Sequence, residues 1–253
     1  SSSQLKLPAM VPYTLSEPNV YMLDMAEYSL DGEEFNEEEE ILRLDNKCKQ
    51  RLGWPQNSVT QPWAISEEPY QHTVTLRYTI ESEIQYEGAS LALEHGGEAE
   101  ISWNGEKVSN QSSGWYVDKN AIQKVALPEI KKGTNILTIT WPFSKRINLE
   151  WCYLLGDFGV RVCGRKKWIV PAAKELAFSD VVPQGLPFYG GNITYHIDFE
   201  GERDFTLTSS AYYGALLNVS LDGKPAGRIV FSPYQLTLKN VKPGRHRLDI
   251  TLF

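Results

Sequence analysis

The sequence predicts an all-β protein made of two tandem jelly-roll-like β-sandwiches, with one helix near the N-terminus. From about residue 70 onward, apolar and polar residues alternate with a period of two, which is the pattern of half-buried strands. Three of the strand-like segments also occur twice in the same order, which indicates a repeated unit. Many short strands without intervening helical patterns favour sandwiches over a fold that alternates strands and helices.

The predicted helix covers residues 37–52. Asn36 is a favourable N-cap residue, and Glu39 three residues later completes a capping-box pattern. Gly53 is the residue type that most often follows the end of a helix. Apolar residues recur at helical spacing between these ends: Ile41, Leu44, Cys48 and Leu52. The acidic run 37–40 is explained by its place at the positive end of the helix dipole, without a ligand site.

The segments that follow read as short strands rich in Val, Ile, Thr and aromatic residues. Glycine, asparagine, aspartate and proline separate them, which is typical of tight turns. In chain order the strand-like segments are HTVTLRYTI, ASLALEH, AEISWNG, NILTITW, GDFGVRV, NITYHIDF, FTLTSSAYY, LLNVSLDG and RLDITLF.

The repeat places the two sandwiches along the chain. Residues 125–141 align without a gap with residues 236–252. Upstream, AEISWNGEKV aligns with LNVSLDGKPA, and each runs into an Asn-Gly or Asp-Gly turn. The predicted divisions are an N-terminal linker segment with the helix (1–69), the first sandwich (70–165), a linker (166–184) and the second sandwich (185–253).

The second copy is shorter than the first at its C-terminal end. After Trp141 the first copy continues through NLEWCYLLGDFGVRV, whereas the second ends at Phe253 within a strand-like segment. A sandwich without its closing strands would expose an unpaired sheet edge. Either the N-terminal segment supplies the missing strand, or the chain is a truncated piece of a longer protein. The start without methionine favours the second alternative.

Charge and composition argue against several classes of partner. The 253 residues carry a formal net charge of −7, which disfavours nucleic acid because a polyanion binder needs a basic face. No apolar run reaches the ~20 residues of a membrane-spanning helix, so no membrane partner is predicted. Cysteines and histidines are scattered without the spacing of a metal site. No metal or other cofactor is predicted.

No catalytic constellation stands out in the sequence. The GxSxG, HExxH, phosphate-loop and dinucleotide-binding patterns are all absent. Glycoside hydrolysis requires two carboxylates that face one cleft, but with 32 acidic residues no pair can be chosen from the sequence. The predicted catalytic set is therefore empty.

One loop has the composition of a sugar-binding surface. The segment QSSGWYVDK places Trp115 and Tyr116 in a polar loop between strands, beside Gln111 and Asp118. Sugars present C–H faces to aromatic rings and hydroxyl groups to amides and carboxylates, so this combination favours carbohydrate binding. The alternative is that Trp115 packs beneath the loop and caps the sandwich.

A second loop, PFYGG, offers another aromatic candidate, Tyr189. The third repeated segment is NITYHIDF, which follows this loop and aligns with HTVTLRYTI, the first strand of the other sandwich. The loop is therefore also explained as the entry into the second domain. Gly190 and Gly191 then mark a backbone turn that a β-carbon would obstruct. In the second copy, Tyr234 of SPYQL corresponds to the Trp-Tyr loop of the first. Tyr189 and Tyr234 complete the predicted carbohydrate-binding set.

These motifs resemble the accessory β-sandwich region of large bacterial glycoside hydrolases. The resemblance is carried by NGEKV, GWYVDKNAIQKVALPEIKKGTNILTITWPF, PFYGGNITY and LDGKPAGRIVFSPYQLTLKNVKPGRHRLDITL, over about residues 70–253. It is to the galactose-binding-domain-like jelly rolls of rhamnosidase-like and family-two-like enzymes. Residues 130–137 fit their Leu-x-x-Gly-x-Asn-x-Leu turn, whereas the second copy has His246 in place of the asparagine.

The resemblance implies a non-catalytic module that binds carbohydrate or shapes access to it, with the catalytic domain of the same polypeptide as its partner. Such sandwiches often hold a structural calcium ion, but no cluster of Asp and Asn residues marks one in this sequence. Two alternatives stay open: a purely structural spacer without a ligand, and a glycosidase fragment with its own active site.

Overall fold

The predicted all-β class is confirmed. The computed structural model describes residues 3–6, 8–54, 72–117, 122–201, 205–208, 217–225, 229–232, 235–239 and 241–253. Among these residues, strands dominate, one α-helix is present, and most strand pairs are antiparallel. The chain forms two compact units, which we call the central unit (20–171) and the terminal unit (1–19 with 172–253).

The strands are numbered in chain order. Those before the helix α1 (Ile41–Arg51) are β1 (Ser3–Lys6), β2 (Val11–Leu15), β3 (Asn19–Leu23), β4 (Met25–Leu30) and β5 (Asn36–Glu40). Those from the helix to the end of the central unit are β6 (His72–Ser82), β7 (Ser90–Glu94), β8 (Glu100–Trp103), β9 (Glu106–Val108), β10 (Gly114–Trp115), β11 (Ile122–Ala126), β12 (Gly133–Phe143), β13 (Cys152–Gly156), β14 (Gly159–Cys163) and β15 (Lys166–Val170).

The remaining strands belong to the terminal unit. They are β16 (Glu175–Leu176), β17 (Ile193–Gly201), β18 (Phe205–Thr208), β19 (Leu217–Leu221), β20 (Lys224–Pro225), β21 (Ile229–Ser232), β22 (Gln235–Leu238) and β23 (Gly244–Leu252). Two short 3-10 helices lie at Gly96–Glu98 and Val182–Gln184.

The helix begins later than the predicted range 37–52. Glu40 is its N-cap residue, and the Glu40 carboxylate accepts a hydrogen bond from the backbone N–H of Arg43 at 2.9 Å. The predicted N-cap, Asn36, is wrong: it starts strand β5, and its amide donates to the carbonyl of Tyr28 on β4 at 3.0 Å. Glutamate has low strand propensity, so pairing with β4 overrides the local preference of the acidic run.

The central unit is built from two sheets. One sheet has the order β14-β15-β6-β12-β8-β9, with β4 on β6 and β5 on β4; the other has the order β10-β11-β7-β13-β3. Alternate residues of β6 are buried, as the period of two predicts: Val74, Leu76, Tyr78 and Ile80. The thiol of Cys152 on β13 bonds the Tyr78 hydroxyl at 3.7 Å. Because β13 directs Cys152 into this core, its neighbours Trp151 and Tyr153 point away from it.

The terminal unit also contains two sheets. Their orders are β16-β2-β17-β23-β19-β20 and β1-β18-β22-β21. Its core includes Leu176, Tyr195, Leu248 and Ile250, none of which is measurably exposed. The N-terminal segment supplies β1, which pairs with β18, and β2, which pairs with β17. The N-terminal segment thus supplies strands to the unit that contains the second copy.

The structure divides the predicted linkers differently. In the segment predicted as a linker over 1–69, strands β1 and β2 belong to the terminal unit, whereas β4, β5 and α1 belong to the central unit. In the segment predicted as a linker over 166–184, β15 pairs with β14 and β6, and β16 pairs with β2. These pairings are non-local, so no pattern within either segment could indicate them.

The Asn-Gly turn of the central unit and the Asp-Gly turn of the terminal unit make the same hydrogen bonds. Asn104 has φ of 49°, and its side-chain oxygen accepts from the N–H of Ile136 at 2.7 Å. Asp222 has φ of 54°, and its carboxylate accepts from the N–H of Arg247 at 2.9 Å. The backbone N–H of Asn104 also donates to the carbonyl of Ile136, and that of Asp222 donates to the carbonyl of Arg247. The sequence repeat pairs these residues, and the structure gives each pair the same role.

Candidate functional site

Trp115 and Tyr116 lie at the edge of the five-stranded sheet of the central unit. Trp115 stands opposite Gln123 of β11, and the N–H of Tyr116 donates to the carbonyl of Ile122 at 3.0 Å. Successive residues of extended chain point to opposite faces. Trp115 therefore shares the face of the buried Leu93, which is opposite Gln123 on β7, although 43% of Trp115 is exposed at the edge. The two rings do not form one platform.

Tyr116 joins an aromatic group on the outer face of that sheet. The rings of Tyr116 and Tyr153 are 6.0 Å apart between centroids, at an angle of 51°. Trp151, two residues before Tyr153, points to the same face and is 37% exposed. Ile122 and Glu94 stand opposite each other on β11 and β7, between Tyr116 and the strand that carries Tyr153.

A cavity of about 220 Å³, which we call the outer-face cavity, lies beside Tyr153, Trp151, Ile122 and Glu94. It is lined by Leu42, Leu93, Glu94, Ile122, Glu150, Trp151 and Tyr153. Two aromatic rings and two carboxylates thus converge on one exposed recess, with the ring of Tyr116 against Tyr153.

Helix α1 fixes the segment that carries Glu150 and Trp151. The carboxylate of Glu40, the N-cap residue, accepts from the indole N–H of Trp151 at 2.7 Å. One turn further along, Asp45 accepts from the N–H of Leu149 at 3.0 Å. The helix therefore determines where the Glu150 and Trp151 side chains lie at the cavity.

A buried ion pair reinforces this connection. The amine of Lys49 is 2.8 Å from the carboxylate of Asp45 and donates to the side-chain oxygen of Asn148 at 2.5 Å. Lys49 is 1% exposed. Burial raises the pKa of Asp45, although the bonds from Leu149 and Lys49 favour its charged form. Burying the two charges costs free energy. Their bonds to Asn148 and Leu149 connect α1 to the chain segment before β13.

The charges in the outer-face cavity act on one another. Burial raises the pKa of Glu150, and the nearby carboxylates of Glu94 and Asp45 raise it further, against a smaller effect of Lys49. Burial also raises the pKa of Tyr153, with added contributions from Cys152, Glu150 and Glu94. The two glutamates and the phenol line the same cavity.

The polar part of the predicted loop has a different surrounding. Gln111 is exposed, and its backbone N–H donates to the hydroxyl of Ser109 at 3.2 Å. Its neighbour Asn110 donates from its side-chain amide to the carbonyls of Gly97 at 2.9 Å and Ala99 at 2.8 Å, which fixes the start of the loop. Two further predicted site residues, Asp118 and Tyr234, lie outside the described residues.

Tyr189 closes its own turn in the terminal unit. Its hydroxyl donates to the carbonyl of Asn192 at 2.8 Å and accepts from the N–H of Glu17 at 3.2 Å. A β-carbon on Gly191 would lie 2.4 Å from that hydroxyl oxygen, so a larger residue there would displace the tyrosine. A β-carbon on Gly190 would meet no atom within 4 Å, so the obstruction predicted for both glycines holds for Gly191 alone. Tyr189 also packs against the apolar core of the unit. These contacts agree with the interpretation of PFYGG as the entry into a strand.

A second cavity of the central unit is larger, about 440 Å³, and lies where β3, β6 and β15 meet. Tyr21 and Trp168 supply its aromatic rings. The amine of Lys167 donates to the carboxylate of Asp24 and to the carbonyl of Met22, both at 2.5 Å. The polar groups at its floor therefore bond one another.

Three of the residues around the outer-face cavity were missed by the sequence analysis: Glu94, Trp151 and Tyr153. The sequence does indicate that Trp151 and Tyr153 share a face, because they are two residues apart in the strand-like segment EWCYLL. The position of Glu94 beside these aromatic residues depends on strand pairing, which the sequence does not show.

Within the described ranges, no group of three or more His, Cys, Asp or Glu side chains is arranged to hold a metal ion. No helix in the described part of the chain has the length and apolar character needed to cross a membrane.

No protein-family model matches the sequence, and no curated protein matches it. Among solved structures, a GH2 beta-galacturonidase from Eisenbergiella tayi is similar over 93% of this chain and 36% of its own, with 10% identity and a TM-score of 0.30. An alpha-L-rhamnosidase from Streptomyces avermitilis is similar over 100% of this chain and 35% of its own, with 12% identity and a TM-score of 0.29.

A third similar structure is an anti-sigma factor domain-containing protein. It matches 90% of this chain and 88% of its own, with 6% identity and a TM-score of 0.26. This chain spans about a third of the two glycoside hydrolases. At these TM-scores the similarities carry no argument about the function of this chain.

Proposed function

We propose that this chain is a carbohydrate-binding accessory module, and that the sugar binds at the outer-face cavity of the central unit. The observation that supports the proposal is the convergence of Tyr116, Trp151 and Tyr153 with Glu94 and Glu150 on one exposed face. In line with the family resemblance, the catalytic domain of a multidomain glycoside hydrolase is the proposed partner within the same polypeptide.

The chemistry of the recess suits a sugar ring. Aromatic faces pack against the C–H face of a pyranose, and carboxylates accept hydrogen bonds from its hydroxyl groups. Trp151 is fixed by its bond to Glu40, and Tyr153 lies on a strand, so both rings are held before a ligand arrives. A preorganised site loses less conformational entropy on binding.

Affinity electrophoresis against plant, fungal and bacterial polysaccharides, followed by calorimetry on any glycan that retards the protein, tests this proposal. We expect Tyr153→Ala and Trp151→Ala each to weaken binding about tenfold or more, because each removes a ring that contacts the sugar. Trp115→Ala is the matched control: it removes an exposed ring from the same sheet, but from the β10 edge and on the opposite face.

The two outcomes against the proposal are distinct. If no polysaccharide retards the wild-type protein, the spacer alternative is favoured. If Trp115→Ala abolishes binding and Tyr153→Ala does not, the sugar binds at the loop predicted from the sequence and not at the outer-face cavity.

Hydrolysis is the second candidate function, and one observation favours it. Glu150 has a raised pKa beside a second carboxylate, Glu94, and such a pair can supply an acid and a base or nucleophile for glycoside cleavage. Release of sugar from the bound glycan by the wild type, abolished in Glu150→Gln, would establish it. Binding without release leaves the accessory role.

A further inference from the structure

We propose that the ligand of the outer-face cavity carries a positive charge, and that its chemical class is an amino sugar with a free, protonated amine. This inference rests on the proposed carbohydrate-binding function. It adds the class of sugar, which the family resemblance does not indicate.

The charges that line the cavity are all of one sign. Glu94 and Glu150 contribute carboxylates, and among the described residues that line it there is no lysine or arginine. Asp45 lies close enough behind Glu150 to act on its titration. A neutral sugar bound here would leave the mutual repulsion of these carboxylates in place, whereas a cation would relieve it.

The cations on the neighbouring elements are engaged elsewhere. On α1, Lys49 bonds Asp45 and Asn148 and is almost fully buried. Lys47, on the exposed side of the helix, pairs with Glu39 at 2.5 Å. Arg43, next to the cavity-lining Leu42, lies 3.9 Å from the carboxylate of Glu39. Of the helix amines, Lys49 acts on the pKa of Glu150, but more weakly than the opposing carboxylates of Glu94 and Asp45.

Lys124 of β11 is on the same face of the sheet as Tyr153, so the direction of its amine decides whether it can neutralise Glu94. A β-carbon on Gly114 would lie 3.1 Å from Cε of Lys124 and 3.7 Å from its Nζ. Gly114 belongs to β10, on the side of β11 away from β7. The Lys124 amine is thus directed to the sheet edge and away from Glu94.

The aromatic rings strengthen the preference for a cation. Ammonium groups are attracted to the faces of tryptophan and tyrosine, and the attraction grows when water is partly excluded. Trp151 and Tyr153 line the recess together with the two carboxylates. A protonated amine on a sugar would meet both kinds of group, while its ring C–H face packs against the aromatics. Charge-assisted hydrogen bonds to carboxylates are about twice as strong as neutral ones.

The test compares sugars that differ at one substituent. The probes are β-1,4-linked oligomers of glucosamine, N-acetylglucosamine and glucose, together with galactosamine, N-acetylgalactosamine and galactose, titrated by calorimetry at a pH where the free amines are protonated. We expect the free-amine sugars to bind about tenfold or more tighter than the acetylated and neutral ones, a difference of about 1.4 kcal/mol. The preference should decline as salt is added.

Two charge variants locate the effect. Glu94→Gln and Glu150→Gln keep the size of each side chain and remove its charge, so each should reduce the preference for the free amine while binding of the neutral sugar persists. Glu100→Gln, at an exposed position of β8 in the other sheet, changes the net charge by the same amount and should leave the preference unchanged.

The outcomes separate this inference from the proposed function. Equal binding of amine and neutral sugars would overturn the charge inference and leave carbohydrate binding intact. A preference that survives in the double variant Glu94→Gln/Glu150→Gln would also overturn it, because the amine would then be recognised elsewhere. Absence of binding to every glycan would overturn both.

Discussion

At the scale of single residues, His246 occupies in the terminal unit the position that Asn135 occupies in the central unit. Asn135 accepts from the amide of Asn104 at 3.0 Å and donates to the carbonyl of Lys131 at 2.8 Å. The His246 ring places Nδ1 2.6 Å from the carboxylate of Asp222 and Nε2 2.5 Å from the carbonyl of Lys242. The second copy thus has an ionisable version of a neutral contact.

Both ring nitrogens of His246 face groups that accept hydrogen bonds, so the charged ring, with a proton on each nitrogen, is the form that satisfies both contacts. The bond with Asp222, then that with the Lys242 carbonyl, raises the pKa of His246. The bond with His246, then that from the Arg247 N–H, lowers the pKa of Asp222. The phenyl ring of Phe199, 5.5 Å from the imidazole, adds no charge.

This contact predicts a pH dependence of stability in the terminal unit. A raised histidine pKa stabilises the folded state fully below the unfolded pKa of about 6.5, and that stabilisation is lost as pH rises through the folded pKa. The lowered pKa of Asp222 stabilises the folded state above the unfolded pKa of about 4, and that stabilisation is lost as pH falls below this value. Thermal unfolding of wild type and Asp222→Asn/His246→Asn, which reproduces the pair of the central unit, measures both effects.

We expect the double variant to lose less stability than the wild type between about pH 6 and pH 9, because its contact does not titrate there. The wild type and the variant should differ least at the alkaline end of that range. Parallel pH profiles for the two proteins would contradict the proposed role of the histidine.

At the scale of elements, helix α1 supports the outer-face cavity through its ends and its buried side. Ile41, Leu44 and Cys48 are fully buried, as helical spacing predicts, and Gly53 follows the helix with φ of 69°. The spacing does not indicate that Asp45 and Lys49 are buried too. Their burial follows from contacts with Asn148 and Leu149, about a hundred residues away in sequence.

Lys49→Met should therefore be strongly destabilising. It leaves the buried carboxylate of Asp45 without its cation, and breaking a buried pair from one side costs about 3–5 kcal/mol. The double variant Asp45→Leu/Lys49→Met removes both charges and should recover part of that loss. Urea unfolding of the wild type, the single variant and the double variant gives the three free energies of unfolding.

A double variant that is less stable than Lys49→Met would contradict the ion-pair explanation. It would mean that the bond from the Leu149 N–H to Asp45 outweighs the cost of the unpaired charge. The same variants report on the cavity, because displacement of the segment with Glu150 and Trp151 should weaken glycan binding.

At the scale of the whole molecule, the N-terminal segment is divided between the two units. Strand β2 pairs with β17, where Leu15 stands opposite Ile193 and Tyr13 opposite Tyr195, and the N–H of Ser16 donates to the carbonyl of Asn192 at 3.0 Å. Strand β4 instead pairs with β6 of the central unit. The terminal unit is therefore assembled from two stretches that are far apart in sequence.

Removal of residues 1–18 should expose the edge of β17 and destabilise the terminal unit. Hydrogen exchange of the amides in β17 should become faster, because β2 no longer covers that side of the strand. The amides of β6 and β12 in the central unit serve as the internal control and should keep their protection. Unchanged protection in β17 would show that β2 does not stabilise the unit.

The sequence by itself determined what depends on neighbouring residues: the alternation in β6, β12, β17 and β23, the Asn-Gly and Asp-Gly turns, and the repeat that relates Asn104 to Asp222. It could not determine that Asn36 starts a strand, because pairing with β4 overrides local propensity there. The tertiary structure alone decided that Tyr116 and Tyr153 share a face, that Trp115 points to the other, and that Glu94 and Glu150 line one cavity. Strand register brings such residues together across the sheet, and register is set by non-local pairing that no single segment contains.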